Sequence, residues 1–291
     1  MKIGFVGDIH GRVFHTLALL TAWQIRNQCK LDLIIQVGDL GAYPYPNEEL
    51  KNEKYVKKDL AQLDFSRYLQ AKGKLAENIQ YIRTNHLEQI YFIRGNHEDF
   101  TWLRKKSSLA QKGTVCVDSF DLFYYATDGS VIKKNNLSIA FLGGIQTSRT
   151  EESIDEIAYH TLLNTNKKID VLITHDAPFG IGTGYYGDIQ GSTMISTLIK
   201  QLQPNYLIAG HYHHMAGPLQ FKNTTYLGLS VLVNLRENDQ LRSIEPGSMA
   251  VLDTSQAELR FVLEPWITDI NGNFDFNSFV DQVRNGNYYH S

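Results

Sequence analysis

Six short apolar runs punctuate this chain, at residues 3–6, 33–37, 90–93, 138–142, 171–173 and 206–209, and five of them end directly in a polar cluster. The clusters are Gly7-Asp8-Ile9-His10, Gly38-Asp39, Gly95-Asn96-His97, His175-Asp176 and Gly210-His211-Tyr212-His213. The sixth run ends in Gly143-Gly144 and brings no ligand candidate. Runs this short and rich in Ile, Leu, Val and Phe read as buried strands. Between several of them lie helix-period stripes: Val13, Leu17, Leu20; Ile154, Ile157, Ala158, Thr161; and Ile195, Leu198, Ile199, Leu202, the last preceded by Ser192 as an N-cap. Strands alternating with helices predict an α/β fold. In such folds ligands bind beyond the carboxyl ends of the strands, so the five clusters are expected to converge on one rim.

Two regions depart from the alternation. The step from Asp39 to Asn96 is longer than an ordinary crossover, and its segment 48–74 is charged, with an intermittent stripe at Val56, Leu60 and Leu63. It reads as a helical insertion at about 43–74, a lid or flank. After His214 the pattern turns β-branched and alternating around 224–233 and 249–262, with Pro246-Gly247 as a turn signal between them. These segments predict an antiparallel strand set closing a second sheet. The organisation expected is one domain over 1–268 and a C-terminal tail over 269–291, in which Phe274, Phe276 and Phe279 favour either a docked helix or a loose end.

The composition narrows the class. A chain of 291 residues with a formal net charge of −3 and scattered basic residues carries no broad electrostatic footprint for duplex nucleic acid. Its two cysteines, Cys29 and Cys116, stand far apart without a partner motif, which fits a reducing, cytoplasmic compartment. The first apolar run is too short for a signal segment, and no run is long enough to span a bilayer, so no membrane partner is expected.

The clusters carry metal-binding chemistry. Asp8 and His10, two apart, fall on one face if the backbone there stays extended, and His211 and His213 repeat that spacing. Two cations about 3.5–4 Å apart need a shared anion to offset their repulsion, and Asp39 is the candidate bridge. Asn96 adds a carbonyl oxygen and His175 an imidazole. This mixed oxygen and nitrogen set suits borderline divalent ions, manganese first, with iron, zinc, nickel or cobalt as alternatives. No thiolate is on offer, which argues against a structural zinc site. Glycines stand just before several ligands, at Gly7, Gly38, Gly95 and Gly210, where the backbone is expected to turn sharply and approach the ions. Any one cluster alone is an ordinary turn with a solvated polar group. The coincidence of five at strand ends is what points to a site.

In this order the blocks Gly7-Asp8-Ile9-His10-Gly11, Gly38-Asp39, Gly95-Asn96-His97-Glu98, Thr174-His175 and Gly210-His211-Tyr212-His213 resemble those of the calcineurin-like metallophosphoesterase superfamily. The resemblance implies a four-layer αββα sandwich of two mixed β-sheets flanked by helices. It implies that Asp8, His10 and His213 hold one divalent ion, that Asn96, His175 and His211 hold a second, and that Asp39 bridges them. It further implies hydrolysis of a phosphate ester by a hydroxide that the ions activate, with His97 as general acid. Arg94-Gly95-Asn96-His97-Glu98 is similar to the serine/threonine protein phosphatases. Those enzymes follow the second-block Asp with a run supplying a phosphate-binding arginine and a carboxylate for the histidine, and here Leu40-Gly41-Ala42-Tyr43 supplies neither. His175-Asp176-Ala177-Pro178 and the glycine-rich loop after it resemble the RNA lariat debranching phosphodiesterases, which lack the first-block histidine that this chain keeps as His10.

The substrate expected is therefore a phosphodiester or nucleotide-type ester, such as a nucleotide or a single-stranded nucleic acid end. A phosphomonoesterase or protein phosphatase is the alternative, and a non-catalytic scaffold of the same fold a second. The walls of the site would be the 43–74 insertion and the 179–191 loop, with Tyr185 and Tyr186 as stacking surfaces for a base.

Overall fold

All six apolar runs form strands, and the period of two along each strand divides its side chains between different cores. The computed structural model describes residues 1–183, 187–234 and 242–290. Its first elements are β1 (Lys2–Val6), α1 (Val13–Arg26), β2 (Leu33–Gln36), α2 (Glu48–Asn52), α3 (Lys54–Lys58), α4 (Asp64–Leu69), α5 (Gly73–Asn85), β3 (Ile90–Phe92) and α6 (Phe100–Ser107). Then come β4 (Thr114–Cys116), β5 (Phe123–Ala126), β6 (Val131–Lys134), β7 (Leu137–Leu142), α7 (Glu156–Leu163), β8 (Val171–Thr174), β9 (Gly182–Thr183), β10 (Ile189–Gln190) and α8 (Thr193–Leu202). The last are β11 (Tyr206–Ala209), β12 (Ala216–Phe221), β13 (Thr224–Gly228), β14 (Met249–Asp253), β15 (Glu258–Phe261) and α9 (Phe276–Arg284).

Two mixed sheets result. The first runs β15-β14-β1-β2-β3-β5-β4 and the second β12-β13-β11-β8-β7-β6. In each, four parallel strands are flanked by antiparallel edges. Ile3, Phe5, Leu33 and Ile35 of the first sheet meet Ile139, Phe141, Val171, Ile173 and Ile208 of the second in a central core. The alternate residues Val6, Ile34 and Phe92 face outward under α1, α4, α5 and α9. On the other sheet Ala140, Leu142, Leu172 and Leu207 face α7 and α8. Three cores between four layers make the αββα sandwich. Each fully buried aliphatic or aromatic side chain contributes roughly 1.5–3 kcal/mol to it.

Several finer expectations need correction. The strands after His214 do not form one set: β12 and β13 extend the second sheet, while β14 and β15 join the first beside β1. Two hairpins of the same alternating pattern can cap different sheets, and only long-range pairing decides which. In α7 the buried residues are Ala158, Tyr159 and Leu162, whereas Ile157 is 81% exposed and Thr161 also faces solvent. The inserted stripe is broken too: Val56 is buried but Leu60 is 69% exposed. The insertion is a string of short helices, packed instead through Phe65 and Tyr68. Ser192 caps α8 as expected, accepting the Ile195 N–H at 3.2 Å. The C-terminal segment is docked: Asp275 caps α9, whose Phe276, Phe279, Val280 and Val283 join the first core.

The topology fixes where the polar clusters lie. Val6 is in register with Gln36, and Gln36 with Phe92, so β1, β2 and β3 end side by side. Asp8, Asp39 and Asn96 start from that common edge.

Candidate metal centre

Each strand end releases its ligand through a short turn, and the turns are stitched to one another. The His10 N–H donates to the Asp39 carbonyl at 2.9 Å, and the Gly11 N–H to the Leu40 carbonyl at 2.7 Å. Gln36, a polar residue at the end of a buried strand, donates to the Gly7 carbonyl at 3.0 Å and accepts the Gly38 N–H at 3.1 Å. The Gly210 N–H donates to the His175 carbonyl at 3.1 Å, joining the two clusters of the second sheet.

The backbone at the ligands is not extended. His10, Asp39, His211 and His213 all have left-handed φ, of 44°, 53°, 71° and 59°. The period-two argument for Asp8 with His10 and for His211 with His213 therefore fails, and turns aim these side chains. Non-glycine residues enter this region seldom, and such outliers gather at functional sites. The glycine expectation is met in a different sense. A Cβ on Gly95 would lie 2.0 Å from Asp39 Oδ1, and one on Gly210 would lie 2.1 Å from Asp8 Oδ1. These glycines make room for the ligands' carboxylates.

All eight residues singled out in the sequence lie on this rim. Donor atoms of Asp8, His10, Asp39 and His213 all fall within 4.8 Å of one another. His10 Nε2 faces His213 Nε2 at 3.1 Å, and His213 Nε2 is 3.2 Å from Asp8 Oδ2. On the other side His175 Nε2 lies 3.1 Å from Asn96 Oδ1, and the His175 and His211 rings stand 5.2 Å apart. Asp39 lies between the groups, with Oδ1 3.4 Å from His175 Nε2 and Oδ2 3.9 Å from His10 Nε2. His97 is exposed, its ring 5.4 Å from that of His10.

Hydrogen bonds set the free lone pairs. His175 Nδ1 is 3.0 Å from the Val37 carbonyl, so that nitrogen must carry the proton and Nε2 is left to ligate. Asp39 Oδ1 accepts the N–H groups of Asn96 and His97 at 2.7 and 2.8 Å, while the buried Oδ2 has no hydrogen-bond partner. A buried carboxylate oxygen without a donor is costly unless a cation satisfies it. With the mixed oxygen and imidazole donors around it, this orphan fits a divalent ion.

The electrostatics agree. Burial pushes the Asp39 carboxyl up, but His175, His10 and His97 outweigh it and hold it well below the ordinary range. Burial favours neutral His175, yet Asp39 and Asp8 raise it to about 10. His10 and His211 are driven by burial down to about 4. The centre of the pocket thus attracts positive charge strongly enough to hold a proton on a buried imidazole.

Sequence reasoning passed over the residues that support the ligands. Glu98 is buried and accepts N–H groups from Leu40 at 2.9 Å, Ala42 at 2.5 Å and Gly95 at 3.4 Å, tying the second loop to the third. Burial, then Asp39, pushes its carboxyl up to about 8. Asp176 accepts the Gln146 N–H at 2.8 Å, and Gln146 Oε1 in turn accepts the Ser192 hydroxyl at 2.9 Å. Gln36 and Glu98 could have been noticed, being polar groups where the pattern demands burial. The Arg94 guanidinium is engaged by its own chain, donating to Asp128 at 2.6 Å and to the Ser153 carbonyl at 2.6 Å. It lines a groove of about 980 Å³ with Phe100, Leu103 and Tyr125. The proposed stacking residues Tyr185 and Tyr186 lie outside the described residues, and among the described residues no helix is long and apolar enough to cross a membrane.

The chain is similar to known proteins. The lariat debranching enzyme of Entamoeba histolytica is 26% identical over 255 residues, covering 75% of this chain and 67% of that protein. The lariat debranching enzyme of Drosophila pseudoobscura pseudoobscura is 25% identical over 250 residues, covering 73% of this chain but 42% of its own. This chain thus spans less than half of that relative. One solved structure superposes with a TM-score of 0.55 at 16% identity, over 90% of this chain and 98% of its own, which shows the shared fold. The sequence model of calcineurin-like phosphoesterases matches residues 1–215, and the chain belongs to that family.

Proposed function

We propose that this protein is a metal-dependent phosphodiesterase acting on a phosphodiester or nucleotide-type substrate, with manganese as the resident ion. The observation that carries the reading is Asp39, a buried carboxylate between two imidazole groups with one oxygen unpartnered. Asp8, His10 and His213 would hold one ion, Asn96, His175 and His211 the other, and Asp39 both. When bound, such ions supply Lewis acidity that polarises a phosphoryl oxygen and acidifies a water.

The chain's own groups do the rest. The two sheets fix the ligand rows, and the Asn96 and His97 N–H groups orient Asp39. His97, exposed beside the cluster, donates the proton that the departing oxygen needs, a contribution of typically 10²–10⁴-fold. Two features support a diester: the run Leu40-Gly41-Ala42-Tyr43 after Asp39, which holds no arginine for a phosphate dianion, and the likeness to lariat debranching enzymes. A single-stranded nucleic acid end or a branched RNA is the substrate class this reading favours.

The test measures metal content and turnover of bis-nitrophenyl phosphate, nitrophenyl phosphate, and branched against linear RNA oligonucleotides. A faster diester reaction supports the reading. A protein that turns over only the monoester overturns the diester assignment, and one that holds two ions but turns over nothing is a scaffold.

A further inference from the structure

The loop carrying His10 touches the 43–74 insertion directly. The Arg12 side chain is almost fully buried, with Nε 3.2 Å and Nη2 2.8 Å from Asp59 Oδ2. Asp59 Oδ1 meanwhile accepts the Ala61 N–H at 3.0 Å, so this one side chain also starts the short turn that follows it. The turn presses on the loop: a Cβ on Gly11, whose φ is +84°, would lie 1.8 Å from the Gln62 carbonyl oxygen. From the opposite side the Gly11 N–H is held by the Leu40 carbonyl at 2.7 Å. Arg12 is anchored at its own backbone, its carbonyl accepting the Thr16 N–H and hydroxyl at 3.1 and 3.0 Å.

We infer that the Arg12–Asp59 pair makes the insertion a clamp that positions His10, so that the insertion governs the affinity of the ion held by Asp8, His10 and His213. The physical reason is the left-handed backbone of His10, at φ 44°. A β-carbon-bearing residue stays in that region only while its surroundings hold it there. The residues on either side are held, Ile9 by the Asp39 carbonyl at 3.1 Å and Gly11 between Leu40 and Gln62. Removing the Asp59 charge leaves a buried guanidinium without its partner, which strongly favours rearrangement of whichever segment can move. The segment able to move is the insertion turn with the Gly11 loop, because α1 is buried along its length from Val13 to Ile25. His175, Asn96 and His211 lie on other loops and keep their positions. The inference rests on the metal-binding reading above.

The test is calorimetric titration of the whole metal-free chain with Mn²⁺ alone, with melting of the metal-free proteins as a check on folding. Wild type is expected to take two ions. Asp59→Asn is expected to keep one at wild-type affinity and to weaken the other about tenfold or more, the scale on which groups supporting a ligand act. Asp59→Glu, which keeps the anion, is expected to lie closer to wild type. Wild-type affinity at both sites in Asp59→Asn overturns the clamp. So does equal weakening of both, or a Glu variant no better than the Asn variant. If Asp59→Asn does not fold, Arg12→Lys, which keeps the charge but loses the two-nitrogen contact, is read by the same criteria. A wild-type chain that takes up no ion removes the metal-binding reading itself, whereas two ions in wild type with an unchanged variant removes only the clamp.

Discussion

Glu98 reaches from the third ligand loop to the second, its Oε1 2.9 Å from the Leu40 nitrogen. Because Oε2 also accepts the Ala42 N–H, both oxygens are acceptors once the carboxyl is ionised, above about pH 8. Glu98→Gln turns one of these contacts into a donor facing a donor. We expect a loss of about 1–3 kcal/mol in stability, the cost of a buried unsatisfied group, and weaker metal binding with the fold retained. Chemical denaturation and metal titration check both, and wild-type values in each would show that the contact does not matter.

Asp39→Asn removes the charge that two neighbouring cations would share, so bound metal itself is expected to fall below two ions per chain. Elemental analysis of protein dialysed against dilute Mn²⁺ measures this. A variant that keeps both ions would place the bridge elsewhere.

His97→Ala is expected to leave metal content intact and to slow turnover by about 10²–10⁴-fold on an ester with a poor alcohol leaving group. With a nitrophenolate, which leaves without help, the loss should be much smaller. Equal losses on both substrates count against proton donation.

Metal uptake should release protons. His175 is held up to about 10, so it carries a proton in the metal-free protein at pH 8, and an imidazole must lose that proton to ligate. Titrations with Mn²⁺ in buffers of different ionisation enthalpy are expected to show about one proton or more leaving per chain. Below pH 10 affinity should climb about tenfold per pH unit from this group. Uptake that is independent of pH would contradict the assignment of His175 as a ligand.

Asp64, within the insertion at the start of α4, tests the fold's own pH dependence. Burial raises its carboxyl to about 6 against the opposing pull of Arg67, which it meets at 2.5 Å. A folded-state value above the unfolded one contributes stability below about pH 4, and that contribution disappears as pH rises through 6. Wild type should therefore lose up to about 3 kcal/mol relative to Asp64→Asn between pH 4 and 7. Parallel denaturation curves for the two proteins would refute this.

The parts of this molecule that the sequence disclosed are those set by local rules. Ile3, Phe5, Leu33 and Ile35 announce strands because a buried sheet leaves no room for polar alternation, and the ligands announce themselves because each follows such a run. What stayed hidden was decided at long range. The choice of β14 to pair with β1, carrying β15 at its outer edge, depends on the partner, since an alternating hairpin fits either sheet. Ile157 looked like core and faces water, because the docked face runs through Ile154 and Ala158 of the stripe together with Tyr159 and Leu162, which the stripe left out. The assumed extended backbone at His10 and His213 failed because turn conformation depends on what the loop is tied to, here Asp39 and Leu40 for the His10 loop and His175 and Asp8 for the loop that begins at Gly210.

That backbone also dictates an order of assembly. Four of the seven candidate ligands hang from peptides in a conformation an unfolded chain seldom visits. A free peptide carrying the His211-Tyr212-His213 stretch would not reproduce the geometry, and neither would a collapsed chain whose sheets had yet to register. On the metal-binding reading, a cavity that can capture cations exists only once the strands have registered, so the ions would complete an architecture that they do not nucleate.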